Sequence, residues 1–159
     1  MIRALLTVGG IGHLRPASGT WASALAVAVG LGLHAAGGFP ALAAALVGVT
    51  IAGFWACGRG VIPGTDPSEV VIDEVAGQWL ALCFPSAAFW SMGLEHFPWP
   101  GWVAAFGFFR LFDIWKPWII GRADRRGDAA GVMLDDLLAG LAAGIAVILA
   151  AGLAHGVLL

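Results

Sequence analysis

Residues 16–58, "PASGTWASALAVAVGLGLHAAGGFPALAAALVGVTIAGFWACG", contain no Asp, Glu, Lys or Arg, and His34 is their only ionisable side chain besides Cys57. A helix crossing the hydrocarbon core of a bilayer needs about 20 mostly apolar residues. This stretch is long enough for two such helices. The piece "HAAGGFPA" at 34–41 supplies the break between them, since paired glycines and a proline interrupt a helical pattern. The chain reads as an integral membrane protein.

Outward from that stretch, apolar helices are expected at about 21–36, 41–57, 75–94, 101–115 and 134–154. The fold class is therefore all-α: a polytopic membrane bundle of about four to five apolar helices, forming one domain over residues 1–159. The first two segments are rich in Ala, Val, Leu and Gly, which suits close helix packing in lipid. The third carries Pro85, where a kink is expected. "EHFPWPGW" at 95–102 reads as an interfacial turn with Trp99 and Trp102 at headgroup depth. The fourth is short and contains Arg110 and Asp113, so it reads as a partial span. Composition agrees: 60% of residues are hydrophobic, mean hydropathy is +0.90 and only 11% are charged, against roughly 25% in ordinary globular domains. A net charge of -2 gives no reason to expect nucleic acid as a partner. Cys57 and Cys83 sit in apolar context as small hydrophobes, suggesting neither a disulfide framework nor a zinc site. Glycines at 9, 10 and 12 interrupt the N-terminal apolar piece, and no removable signal peptide is expected.

The few charges are unevenly placed. Of 18 Asp, Glu, Lys and Arg residues, five lie in 59–74 and ten in 110–136. With five crossings, segments 1–20, 58–74 and 116–133 share one side and hold seven of the eight basic residues. The positive-inside rule places that side in the cytoplasm. The acidic motifs fall there too.

In "GTDPSEVVIDEVAGQW" (64–79), Asp66, Pro67 and Glu69 form a helix start, with Asp66 as cap and Glu69 in capping-box position. Asp73 then shares a helical face with Gly77, which leaves room for another backbone. In "VMLDDLLAG" (132–140) Asp136 stands in the same relation to Gly140, and Gly144 continues the small-residue stripe. Two adjacent acids at the start of an apolar run repel one another and resist transfer to low dielectric, so a positive partner is required. In "FRLFDIWKPW" (109–118) Arg110, Asp113 and Lys116 recur every three residues along one face, and Pro117 should end the helix near Lys116.

Five acids, Asp73, Glu74, Asp113, Asp135 and Asp136, face two nearby cations, Arg110 and Lys116; simple ion pairing would leave negative charge in surplus. Ionisable groups near a membrane interior are costly and usually functional. Carboxylates without accompanying His or Cys select a hard cation such as Mg²⁺. Carboxylate-held Mg²⁺ beside Arg and Lys suits phosphate chemistry. The scattered histidines His13, His34, His96 and His155 form no metal-ligand spacing, and 122–128 reads as a solvated loop of mixed sign. Two other classes fit an apolar chain with buried acids. A small transporter or channel would need polar residues on both membrane faces, against the one-sided charge map. A CDP-alcohol phosphotransferase-like synthase would share lipid and Mg²⁺, but its D-G-x₂-A-R pattern is absent.

Taken together the motifs resemble the phosphatidylglycerophosphatase A family. "VVIDEVAGQWLAL" (70–82) resembles its D-E-x-x-G-x-W helix, and "FRLFDIWKPWIIGRAD" (109–124) its F-R-x-x-D-x-W-K-P-W signature. "GVMLDDLLAG" (131–140) resembles M-x-D-D-x-x-A-G, and "GIGHLRPASGT" (10–20) the N-terminal glycine–proline segment, with Ser18 and His13 where the family has Pro and Gly. The resemblance implies a Mg²⁺-dependent phosphatase of the bacterial inner membrane that converts phosphatidylglycerophosphate to phosphatidylglycerol and phosphate in phospholipid biosynthesis. On that basis Asp73, Glu74, Asp113, Asp135 and Asp136 hold the metal, and Asp73, Glu74, Asp113 and Asp136 carry the chemistry. Glu74 orients the attacking water, while a covalent aspartyl-phosphate is the alternative. Arg110 and Lys116 grip the phosphate, with the 9–20 loop and its Thr20 closing over it.

Overall fold

The computed structural model describes residues 1–158 apart from 63, 65, 66 and 95, and for 155–158 the backbone alone. The expected cap at Asp66, the acid Glu95 in the interfacial turn and the side chain of His155 lie outside the described residues. Every regular element among them is helical: α1 (Ile2–Leu6), a 3₁₀ helix (Val8–His13), α2 (Ser18–Gly60), α3 (Ile72–Ser91), α4 (Trp99–Trp115), α5 (Ile119–Asp124) and α6 (Ala129–Leu158).

α2 is two helices in sequence. At Gly37 (φ -155°, ψ 20°) and Gly38 (φ 64°, ψ -159°) the backbone leaves the helical region, within the expected break at 34–41. Gly38 needs its missing Cβ twice over: its φ is positive, and the Trp90 ring occupies the space a Cβ would fill. The limb before this turn runs parallel to α3. Trp79 Nε1 donates to the Ala26 carbonyl at 2.8 Å, and His34 Nδ1 and Ser86 Oγ are 2.7 Å apart. The limb after it runs back, bringing Gly53 beside Met133 and Ile72. The reversal explains how 43 residues, roughly 65 Å of straight helix at 1.5 Å per residue, fit a bundle.

α4 starts behind Pro98 and carries Pro100 in its first turn, where a missing N–H costs nothing. It runs antiparallel to α3, with Gly101 against Phe89 at one end and Phe109 against Gly77 at the other. α6 starts at Asp128, whose Oδ1 accepts from the Gly131 N–H at 2.7 Å. It lies parallel to α3: Gly140 meets the Gly77 backbone, and Gly144 meets the Phe84 ring. The small-residue stripe read from the sequence is thus the α3–α6 crossing, as close packing in lipid favours. α3 passes Pro85 and continues to Ser91, so the expected kink does not end the helix.

Among the described residues two helices, α2 and α6, are each long and apolar enough to cross a membrane. α4 has 17 residues, about 26 Å, and α3 opens on Asp73 and Glu74, so one is shorter and the other more polar than these two. Leu25, Val29, Val47, Ile51, Leu149 and Leu153 are exposed along the outside of α2 and α6. Oily side chains facing outward are what a lipid-embedded surface requires.

One end of this bundle gathers the starts of α2, α3 and α6 and the end of α4. At the other end, around the 37–38 turn and 91–98, no described residue is Asp, Glu, Lys or Arg.

Candidate active site

At the charged end lies a cavity of about 360 Å³ lined by Asp73 and Glu74 from α3, Asp113 and Lys116 from α4, and Asp135 and Asp136 from α6. Asp124, Asp128, Ser18, Pro67, Ser68 and Gly127 complete its polar rim, with Val70 and Val132 as apolar wall. All five acids expected from the sequence therefore reach one cavity.

They do not play one part. Oxygens of Asp73, Glu74 and Asp136 lie within 4.8 Å of one another, a spacing that suits a shared ion. Asp113 is within hydrogen-bonding reach of Asp136 and is itself held by Arg110, whose Nη1 donates to its Oδ2 at 2.6 Å. Asp135 takes Lys116 Nζ at 2.5 Å. Three acids thus share a centre, and two face the cations that simple ion pairing would assign them. The α3–α6 contact brings this about: Gly77 sits one turn beyond Asp73, its missing side chain replaced by the Asp136 carbonyl. On the far side of Glu74, α2 approaches through Gly19, where a Cβ would collide with Glu74 Oε1 and crowd Arg110 Nη1.

Lys116 depends on an unusual backbone. It ends α4 in the left-handed region at φ 47°, ψ 54°, with Pro117 preventing further helix. The turn sends Nζ inward, where it also donates to Asp124 Oδ1 at 2.6 Å. Burial lowers the lysine's pKa, but the bonds to Asp124 and Asp135 outweigh it and hold the ammonium above its usual range. Lys116 is therefore a fixed positive charge on the cavity wall. Asp128 is held below the usual carboxylate range by Arg126, then by the Gly131 N–H, so it stays ionised as the cap of α6.

The rim is tied together by backbone. Ser18 Oγ donates to the Ser68 carbonyl at 2.6 Å, and Val71 N–H to the Leu6 carbonyl at 2.8 Å. Gly64 N–H donates to the Gly127 carbonyl at 2.8 Å, joining the loops that lead into the two acidic helices. Gly12 packs on the Glu69 backbone, bringing the 3₁₀ helix to the rim.

Of the three residues expected to bind phosphate, only Lys116 lines the cavity. Arg110 sits behind Asp113, half-buried, and Thr20 follows Gly19 in α2 outside the lining. Ser18, two residues earlier, takes the rim position instead. Asp124, expected in a solvated loop, ends α5 and pairs with Lys116. That contact arises because α5 folds back from Pro117, and no local spacing in the sequence encodes it.

The donor set fits a hard divalent cation. The clustered atoms are all carboxylate oxygens, and among the described residues Glu74 Oε2 and Asp135 Oδ1 are buried without a partner. Buried acids need a compensating charge, and an unpaired buried carboxylate oxygen is an available ligand.

The family model described as phosphatidylglycerophosphatase A matches residues 4–151. A protein of Bacteroides thetaiotaomicron named putative phosphatidylinositol-3-phosphatase is 37% identical over 131 residues, 79% of this chain and 77% of that one. Phosphatidylglycerophosphatase A of Haemophilus influenzae is 33% identical over 141 residues, covering 86% and 81% of the two chains. The Escherichia coli K12 protein of the same name is 40% identical over 78 residues, 48% of this chain and 40% of that one. No solved structure matches.

Proposed function

The chain belongs to the phosphatidylglycerophosphatase A family, and we propose on that premise that it removes the terminal phosphate of phosphatidylglycerophosphate in a Mg²⁺-dependent reaction. The observation that carries this reading is the meeting of Asp73, Glu74 and Asp136 in a cavity whose wall holds the charged Lys116. Mg²⁺ bound there would polarise the phosphorus and acidify a bound water.

The chain's own residues would divide the remaining work. Asp73, Asp136 and one oxygen of Glu74 hold the ion, and Asp113, restrained by Arg110, steadies Asp136. Glu74, with Oε2 unpaired, is placed to accept a proton from the attacking water. Lys116 holds the phosphoryl oxygens, and Asp135 and Asp124 fix its ammonium in place. The hydroxyl of Ser18 lies at the rim, where the 9–20 segment would flank a bound headgroup. Five crossings, with the two limbs of α2 counted separately, would set this end of the bundle at the cytoplasmic surface of the inner membrane. A lipid phosphomonoester presents its headgroup at that depth.

The reading is tested by incubating purified protein with phosphatidylglycerophosphate and titrating Mg²⁺ after chelation. Phosphate release should appear with Mg²⁺, stay absent with Ca²⁺, which tolerates a looser and larger oxygen shell, and yield phosphatidylglycerol. Release unaffected by chelator would refute the metal assignment. The Bacteroides relative's name makes phosphatidylinositol 3-phosphate the second substrate to assay, and a higher kcat/KM for it would move the assignment to that headgroup.

Lys116→Met keeps the stem and removes the charge. It should lower kcat/KM roughly 10²-fold, the lower bound for losing one donor to developing charge. Lys116→Arg should not restore it, because a planar guanidinium cannot replace a compact ammonium between Asp124 and Asp135. Steady-state kinetics in detergent micelles checks both.

A further inference from the structure

The turn that sends Lys116 inward sends its neighbours out. Trp118 is 87% exposed and Trp115 67%, and Ile114, Ile119 and Leu111 are exposed beside them. These side chains make one apolar ridge on the outside of the cavity wall. Trp118, like Lys116, has a positive φ of 47°, though its ψ of -110° puts it outside the left-handed helical region that Lys116 occupies at ψ 54°. A non-glycine residue persists at positive φ only where its surroundings hold it, and such strain gathers at functional sites. From inside, the turn is held by the buried Ile120, and by Gly121, packed so closely on the Lys116 carbonyl that a Cβ would not fit. The Lys116 ion pairs add to this. On the outside, the described residues supply nothing that covers Trp118.

Beside the ridge, Arg122 and Arg125 are exposed, and neither has an ion pair among the described residues. Tryptophan with arginine at one surface matches the border between headgroups and acyl chains of an anionic leaflet. We propose that the ridge around Trp118 inserts into that border and that the bilayer thereby holds the Lys116 turn closed over the cavity. The occupant is host lipid, not substrate. Trp118 is a positioning residue, acting on the phosphate site through Lys116. The kinetic part of this inference rests on the phosphatase reading; the lipid contact does not.

The test uses full-length protein reconstituted in vesicles. Tryptophan emission is quenched with lipids brominated just below the headgroup, comparing wild type with Trp118→Phe, which keeps an aromatic anchor but removes the indole. The quenchable fraction should fall in the variant, and an unchanged fraction would overturn the contact. Trp118→Ala should lower kcat/KM on vesicle-borne substrate about tenfold, the lower end of what partners behind a site contribute. In a Lys116→Met background the same change should cost nothing further, since both act on one group. Trp118→Phe should retain most activity. Multiplying losses in the double variant would overturn the coupling and leave Trp118 a structural residue. Wild type should also work faster in anionic than in zwitterionic vesicles, and Arg122→Gln with Arg125→Gln should abolish that preference. No preference in wild type would overturn the anionic part. Wild type inactive in every vesicle would instead refute the phosphatase reading, leaving quenching to decide the lipid contact.

Discussion

Asp136→Asn should reduce kcat/KM by roughly 10³-fold while leaving the protein folded, since a bound metal contributes several kcal/mol to stabilising transition-state charge and each 1.36 kcal/mol is tenfold. Asp136 is the acid in closest relation to all the others. Its oxygens fall within the same 4.8 Å as Asp73 and Glu74, it lies within hydrogen-bonding reach of Asp113, and it follows Asp135 in the chain. The amide keeps the shape and loses the charge. Because Asp136 is 3% exposed among like charges, losing that charge relieves repulsion as well as removing a ligand. Activity and stability should therefore move in opposite directions, with the thermal midpoint in detergent unchanged or raised without Mg²⁺. A parallel loss of both would mark Asp136 as structural.

Gly140→Ala should have the second large effect, by a different route. A Cβ at Gly140 would fall on the Gly77 carbonyl, and backbone cannot rotate out of the way as a side-chain end could. Overpacking of this kind typically costs about 1–3 kcal/mol. Because Gly140 lies one turn beyond Asp136 and Gly77 one turn beyond Asp73, separating α6 from α3 also separates the acids. The variant should lose thermal stability and Mg²⁺-dependent activity together. Gly152 in the same helix has open space around it, so Gly152→Ala should be neutral or stabilise by up to about 1 kcal/mol through helix propensity. Similar losses in both variants would refute the crossing as the cause.

These two residues also show what the sequence could reveal. Gly77 and Gly140 each follow an acid by four residues, a spacing that predicts room for another backbone beside each acid; that the two glycines meet one another is seen only in the fold. The uncharged run at 16–58 gave the membrane, and its Gly37–Gly38 pair gave the reversal, because both signals are local. What depended on tertiary path was not legible. Asp124 reaches Lys116 only through the left-handed turn at 116–118. Ser18 rather than Thr20 reaches the rim, where its hydroxyl is held by the Ser68 carbonyl in the loop before α3. Arg110, which the resemblance puts on the phosphate, gives its Nη1 to Asp113 and does not line the cavity. A helical face predicts neighbours within one helix and is silent about which neighbour a flexible cation selects.

The most direct measurement is Mn²⁺ binding, followed by electron paramagnetic resonance on the reconstituted protein, with Mn²⁺ standing in for Mg²⁺ as a hard cation with the same oxygen preference. Asp73→Asn, Glu74→Gln and Asp136→Asn should each abolish or greatly weaken the bound signal, while Glu69→Gln, at an exposed pair with Arg3, should leave it intact. A bound signal that survives all three substitutions, or that Glu69→Gln removes equally, would contradict a metal centre built from α3 and α6.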